Sequence, residues 1–268
     1  MRTPRYTLDS PAIYTDTDFI ERLSRAGSVL SHALRCAVNS VEGGVRPIEL
    51  AEIVEGELAD RSALPIMKGL RVPGSAPFPS AAAVCVNEVA VNGVPSNRPL
   101  TTGDILTIDS ACEYEGAVCD AAVSVAVGGG DDPLIEAAQK VLDAACCAIL
   151  PGRQLSEIAR VAQETAQKLG YEILDEAIAH GTGLALHQPP AVFIDGAYPD
   201  NGLILPGMVL AVEPVVVEVA RDGWVGRLRT LADGWSRVAP GRSAFEERTV
   251  VVTELGTIAL TGGSQRPL

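Results

Sequence analysis

Histidine is scarce in this chain: 268 residues contain three. Two of them, His180 and His187, share one short glycine-containing stretch, AHGTGLALHQPP. Basic residues are outnumbered too, with 21 Lys and Arg against 34 Asp and Glu and a formal net charge of −13. Such a surface repels phosphate backbones and anionic lipid, which excludes nucleic acid and membrane surfaces as partners. There is no run of 18 apolar residues, so no bilayer-spanning helix is expected. The opening MRTPRYTLDSP lacks the apolar core of a signal peptide, and the expected location is cytoplasmic. The six cysteines, at 36, 85, 112, 119, 146 and 147, show no zinc-type CxxC pair. In a reducing compartment they are expected as thiols, even Cys112 and Cys119, which can face each other across a hairpin. Linkers, low-complexity segments and internal repeats are also missing, so residues 1–268 are expected to form a single domain.

Hydrophobic residues are 47% of the chain and charged residues 21%, a globular composition. Ile20, Leu23, Leu30, Leu34 and Ala37 recur at helical spacing and predict an amphipathic helix over 17–41, capped by Asp16 or Thr17. Pro47 opens a second helix, IELAEIVEGELADR. A Pro- and Gly-rich loop over 62–82 precedes three strands, AVCVNEVAV, DILTIDSAC and GAVCDAAVSVAV. Pro133 opens a helix through 150, and Ser156 is the expected cap of another through 169. Strands then return in GMVLAVEPVVVEV, in a hairpin around residues 221–223, and in TVVVT. Helices and strand blocks in this order predict an α+β fold of two similar halves packed face to face.

Several carboxylates stand where water is scarce. If Cys112 pairs with Ala117, Asp109 falls opposite Asp120 on one face, with Cβ atoms roughly 5 Å apart. Both are surrounded by Ile, Val, Ala and Cys, and neither strand carries a basic residue. Facing buried carboxylates repel, so a shared proton, a basic side chain or a divalent cation must offset them. Glu213 inside LAVEPVVV and Glu247 before TVVVT are equally out of place. A lone acid of this kind is usually a structural hydrogen-bond partner, and Glu246 beside Glu247 reads as a solvated face. Four such acids with His180 instead make an oxygen-rich site with one nitrogen ligand, suited to a pair of Mn, Fe, Co or Zn ions.

The stretches VNEVAVNGVPS, GDILTIDSACEYEGAVCDAAVSVAVG, AHGTGLALHQPP, GMVLAVEPVVV and SAFEERTVVVTELGTIALT, with the N-terminal helices, are similar to those of a known family. The chain resembles the type I methionine aminopeptidases over nearly its whole length. The resemblance implies the pita-bread fold of creatinase and prolidase, two pseudo-symmetric αβ halves around a curved antiparallel sheet. It also implies two divalent metal ions: Asp109 on one, Asp120 and Glu247 bridging both, His180 and Glu213 completing the other. Water activated between the ions would attack a peptide carbonyl, with Glu213 as proton shuttle and His187 stabilising the tetrahedral intermediate. The partner is the free N-terminus of a peptide or a small amide, bound near Asp109, with Trp235 closing the side-chain pocket. No oligomeric state is implied.

The chain departs from that pattern on the substrate side. Asn92 stands where the family carries a histidine that contacts substrate and assists proton transfer. Asn hydrogen-bonds but does not titrate near neutral pH, and losing such a proton transfer costs roughly 10² to 10⁴ in rate. Leu186 replaces an expected aromatic, Phe78 a tyrosine, Ala83 a frequent cysteine, and Ala179 the first glycine of the family's GHG. Three readings follow: an aminopeptidase acting on N-terminal methionine, a paralogue with the same metals acting on another small amide, and a non-catalytic peptide-binding protein. The third leaves unexplained why five costly ligands persist.

Overall fold

In the computed structural model the described residues are 11–72, 74–174, 177–193, 202–218 and 228–262. The hairpin expected around residues 221–223 lies outside them. Asp16 is in extended backbone and its carboxylate accepts the Asp18 amide at 3.1 Å, which starts α1 (Thr17–Asn39). The apolar stripe of α1 then buries Phe19, Leu23, Ala26, Leu30, Ala33, Leu34 and Ala37. Full burial of a leucine such as Leu23 or Leu30 contributes about 1.5–3 kcal/mol each. Pro47 begins α2 (Pro47–Asp60), and the Glu49 carboxylate reaches back to accept the Arg46 amide at 2.8 Å. Asp132 caps α3 (Pro133–Ala148) through the Leu134 amide. The fourth helix, α4 (Ser156–Lys168), differs from expectation. Its cap position is Leu155, which makes no side-chain bond, and Ser156 is the first helical residue.

The strands are β1 (Ala82–Val86), β2 (Ile105–Tyr114), β3 (Ala117–Ala126), β4 (Ala177–Gly181), β5 (Gln188–Phe193), β6 (Val209–Val212), β7 (Glu247–Thr253) and β8 (Gly256–Ala259). They form one antiparallel sheet in the order β2-β3-β7-β6-β4-β5. β1 and the short stretch Leu64–Pro65, inside the expected loop, both pair with β2, and β8 pairs with β7. α1 and α2 cover the β2–β3 end of the sheet with one hydrophobic cluster, and α3 and α4 cover the β6–β4 end with a second. The result is two αβ halves around a shared curved sheet. Among the described residues, no helix is long and apolar enough to cross a membrane.

Two expected strands are broken. Asn87, at φ 53°, turns the chain between β1 and Val89–Val91; its side chain accepts the Ile105 amide and donates to Asp104. Pro214 follows β6, and Val216–Val217 leave the large sheet to pair with Ser243–Ala244 and Glu172–Ile173.

The β2–β3 register also differs by two residues from the expected one. Tyr114 pairs with Ala117, so the turn is only Glu115 and Gly116, both in the left-handed region at φ 51° and 75°. A two-residue turn of this kind matches the twist of the strands better than the four-residue turn anticipated from sequence. Cys112 therefore lies opposite Cys119, and both are free thiols. Asp109 pairs with Ala122 and Asp120 with Ala111. The two aspartates share a face, as diagonal neighbours rather than directly opposed.

Candidate functional site

The register places the expected ligands on two adjacent rows across the sheet. One row runs Ala83, Asp109, Ala122, Glu247 over β1, β2, β3 and β7. The next runs Ala111, Asp120, Thr249, Ala211, His180 over β2, β3, β7, β6 and β4. Glu213 follows the end of β6; its amide donates to the Ile178 carbonyl at 2.7 Å, which keeps the β4–β6 register and leaves Glu213 diagonal to His180. Each half of the sheet thus supplies one diagonal pair, Asp109 with Asp120 and His180 with Glu213, and Glu247 enters between them. Ala83, Ala111 and Ala122 stand beside Asp109, Asp120 and Glu247 in the rows, where a larger side chain would crowd the carboxylates. The neighbouring positions on β2, Leu106, Ile108 and Cys112, point the other way into the α1–α2 cluster.

His180 is 1% exposed, and its Nδ1 lies 3.0 Å from the Gly181 carbonyl oxygen. A carbonyl only accepts, so Nδ1 carries the proton and the Nε2 lone pair points into the cluster. Nε2 is 3.5 Å from Glu213 Oε1 and 3.7 Å from Asp120 Oδ2. Burial pushes the imidazole down to about 4, so it is neutral at physiological pH. The strand crossing beside it is tight: a Cβ on Gly181 would collide with the Pro189 carbonyl.

Burial raises Asp109 to about 7 and holds Asp120 and Glu247 well above the carboxylate range. Asp109 and Glu213 raise Asp120 further, and Asp120, Glu213 and Asp109 do the same to Glu247. Two buried oxygens, Asp120 Oδ1 and Glu247 Oε1, make no hydrogen bond. Ligand atoms of Asp120, His180 and Glu247 lie within 4.8 Å of one another. A divalent cation fits this donor set. It would occupy the orphaned oxygens, meet the aimed imidazole nitrogen and remove the mutual repulsion.

The expected substrate-side residues come together beside the rows. Phe78, Trp235, Met67, Ala83 and Ala111 form one apolar cluster against which Leu186 packs. Phe78 and Trp235 meet edge to face with centroids 5.2 Å apart, and the indole N–H donates to the Ala76 carbonyl at 2.8 Å. Ala83 and Ala111 are the row neighbours of Asp109 and Asp120, so this wall abuts the carboxylates. The His187 ring stands 4.6 Å from that of His180. Asn92 is half-buried at the end of Val89–Val91, at φ 55°. Its near neighbour Val94 lines the apolar cluster.

Sequence reasoning missed Thr249. Its hydroxyl accepts the Asp120 amide at 2.9 Å and donates to the Asp120 carbonyl at 2.8 Å, replacing a rung of the β3–β7 ladder. A single threonine opening the apolar run TVVVT was its only signal. Glu246, expected on a solvated face, is half-buried, accepts the Ser124 amide at 2.9 Å and is raised to about 7 by burial. Alternation along β7 puts it on the other side from Glu247.

Comparison with known proteins follows the same lines. Residues 21–254 match the model of metallopeptidase family M24. The chain is 30% identical over 257 residues to a methionine aminopeptidase of Aquifex aeolicus, covering 90% of this chain and 95% of that one. It is 30% identical over 244 residues to methionine aminopeptidase 1 of Bacillus subtilis, covering 89% and 94%. The crystal structure of a methionine aminopeptidase from Thermotoga maritima superposes with a TM-score of 0.85 at 29% identity, over 95% of this chain and all of that one. A prolidase from Pyrococcus furiosus, 21% identical, shares the fold with a TM-score of 0.70 over 94% of this chain and 66% of that one. With the fold, the inward-facing rows and these likenesses together, the chain belongs to metallopeptidase family M24, with the pita-bread fold of metal-dependent hydrolases that resemble methionine aminopeptidases.

Proposed function

We propose that this protein is an aminopeptidase that removes a small or medium apolar residue, methionine first among them, from the N-terminus of a peptide in the cytoplasm. The observation that carries this reading is the pair of orphaned buried oxygens, Asp120 Oδ1 and Glu247 Oε1, on two carboxylates that cluster with the His180 imidazole beside an apolar wall. Asp109, Asp120, His180, Glu213 and Glu247 would hold two divalent ions, of Mn, Fe, Co or Zn. Bound there, the ions supply Lewis acidity that polarises a carbonyl and lowers the pKa of water.

The chain's own groups do the rest. Glu213 keeps 22% of its side chain exposed, so it can hold a proton and pass it to a departing amine. His187, its ring tilted against that of His180, donates a hydrogen bond to the carbonyl oxygen under attack. Phe78, Leu186 and Trp235 take up the apolar side chain and exclude water from it. Asn92 orients the substrate backbone without moving a proton. Chelator-treated protein should be inert toward Met-Ala peptides and regain hydrolysis with Mn, Co, Fe or Zn. Full activity in the metal-free state would overturn the reading.

One observation favours a second reading, the same metals acting on a different small amide. Asn92 supplies a hydrogen bond where the resemblance expects a titrating imidazole. Asn92→His should raise Met-peptide turnover by about tenfold or more if proton transfer is the missing element. An unchanged rate favours the other amide.

A further inference from the structure

The third histidine lies far from these rows, in the helical layer on the opposite face of the sheet. We propose that His32, Cys36 and Glu57 form a separate site for one zinc-class divalent ion, bridging α1 and α2. His32 and Cys36 are four residues apart on α1 and so share a helix face, while Glu57 approaches from α2. Their ligand atoms all lie within 4.8 Å of one another.

The case rests on one nitrogen. His32 Nε2 is 3.1 Å from Glu57 Oε2, 3.4 Å from Cys36 Sγ and 2.5 Å from Arg61 Nη2. An imidazole nitrogen carries either a proton or a lone pair, and it makes one good in-plane bond. Protonated, it serves Glu57 and confronts Arg61. Unprotonated, it serves Arg61 or the thiol and confronts the carboxylate. Three groups therefore compete for a single valence. A cation among them turns the competitors into ligands: a nitrogen, a sulfur and an oxygen, the donor set zinc prefers, with a fourth position left for water. All three residues are half-buried, so an ion reaches them from solvent.

Arg61 is the rival cation at Nε2, while Arg35 meets the other ring nitrogen, Nδ1, at 3.5 Å. Arg61 also bonds Glu57 Oε2 at 2.7 Å and the Glu57 carbonyl at 3.1 Å. A third of its side chain is exposed, which leaves it free to swing outward when the ion arrives. A rival held in the site weakens the ion's affinity, and this gives the proposal a signature that a purely structural ion-pair network lacks.

The test is a cobalt(II) titration of the full chain after chelator treatment. A thiolate ligand gives a near-ultraviolet charge-transfer band, and the carboxylate and imidazole ligands of the row site give none. The expected result is such a band with the intensity of one thiolate-bound ion per chain, bound in addition to the ions of the row site. Cys36→Ser should abolish it, lower bound metal by one equivalent and leave Met-peptide hydrolysis unchanged. Arg61→Ala should strengthen binding several-fold. Absence of the band, its persistence in Cys36→Ser, or unaltered affinity in Arg61→Ala would overturn the proposal.

Discussion

Thr249→Val is the sharpest probe of how the rows are held. The substitution keeps the shape of a side chain that is 0% exposed and removes only its hydroxyl. That hydroxyl is bonded to both main-chain polar groups of Asp120 on the β7 side, accepting from the amide at 2.9 Å and donating to the carbonyl at 2.8 Å. Valine leaves two buried groups unsatisfied. Each costs about 1–3 kcal/mol, so a loss of about 2–4 kcal/mol is expected after partial relaxation. Asp120 also loses the contact that fixes its position, and removing a support one shell away from a metal ligand commonly weakens binding about 10- to 100-fold. Urea unfolding of the metal-free protein reads the first effect, and calorimetric titration with manganese or cobalt reads the second. Thr249→Ser, which restores the hydroxyl, should recover most of the metal affinity. A valine variant with the stability and metal affinity of the parent would refute the claim that this hydroxyl positions Asp120.

Ala122→Leu should block metal binding while the sheet survives, because Ala122 is the only residue between Asp109 and Glu247 in their row; retained metal content would show that the row geometry is misassigned. Metal binding should also strengthen with pH. Asp109 is raised by burial from 3.8 to about 7, so its contribution to the metal-free fold is complete below about pH 4 and is lost as pH rises through 7. Metal displaces that proton, and the thermal shift on adding metal should therefore be larger at pH 8 than at pH 5. His180 works in the opposite sense: lowered from 6.5 to about 4, it stabilises the fold above pH 6.5 and stops doing so as pH falls through 4. Equal shifts at pH 5 and pH 8 would contradict the Asp109 assignment; His180, lowered to about 4, is neutral at both.

The candidate ligand residues were legible in sequence because charge in an apolar strand is conspicuous. Asp109 and Asp120 among Ile, Val, Ala and Cys, Glu213 inside LAVEPVVV, and the paired histidines all violate patterning that the rest of the chain obeys. Capping at Asp16 and the proline starts at 47 and 133 were readable for the same reason, since each rests on local chemistry. Register was not. The choice between a two- and a four-residue turn at Glu115 changes every cross-strand partner in the hairpin, and nothing in a linear reading weighs the left-handed φ at that position. Thr249 escaped because its partner is 129 positions away. The His32–Cys36 pair was passed over in the sequence, because an i, i+4 spacing alone points to no site and Glu57 joins it only once α2 folds back on α1.

The central claim is that five side chains on two rows of one sheet meet around divalent cations. Anomalous diffraction from crystals soaked in manganese tests it most directly. The account predicts peaks bounded by Asp109, Asp120, His180, Glu213 and Glu247, with Asp120 Oδ1 and Glu247 Oε1 turned onto them. Soaked crystals with no anomalous density there, and with those oxygens neutralised by lysine or arginine, would contradict it.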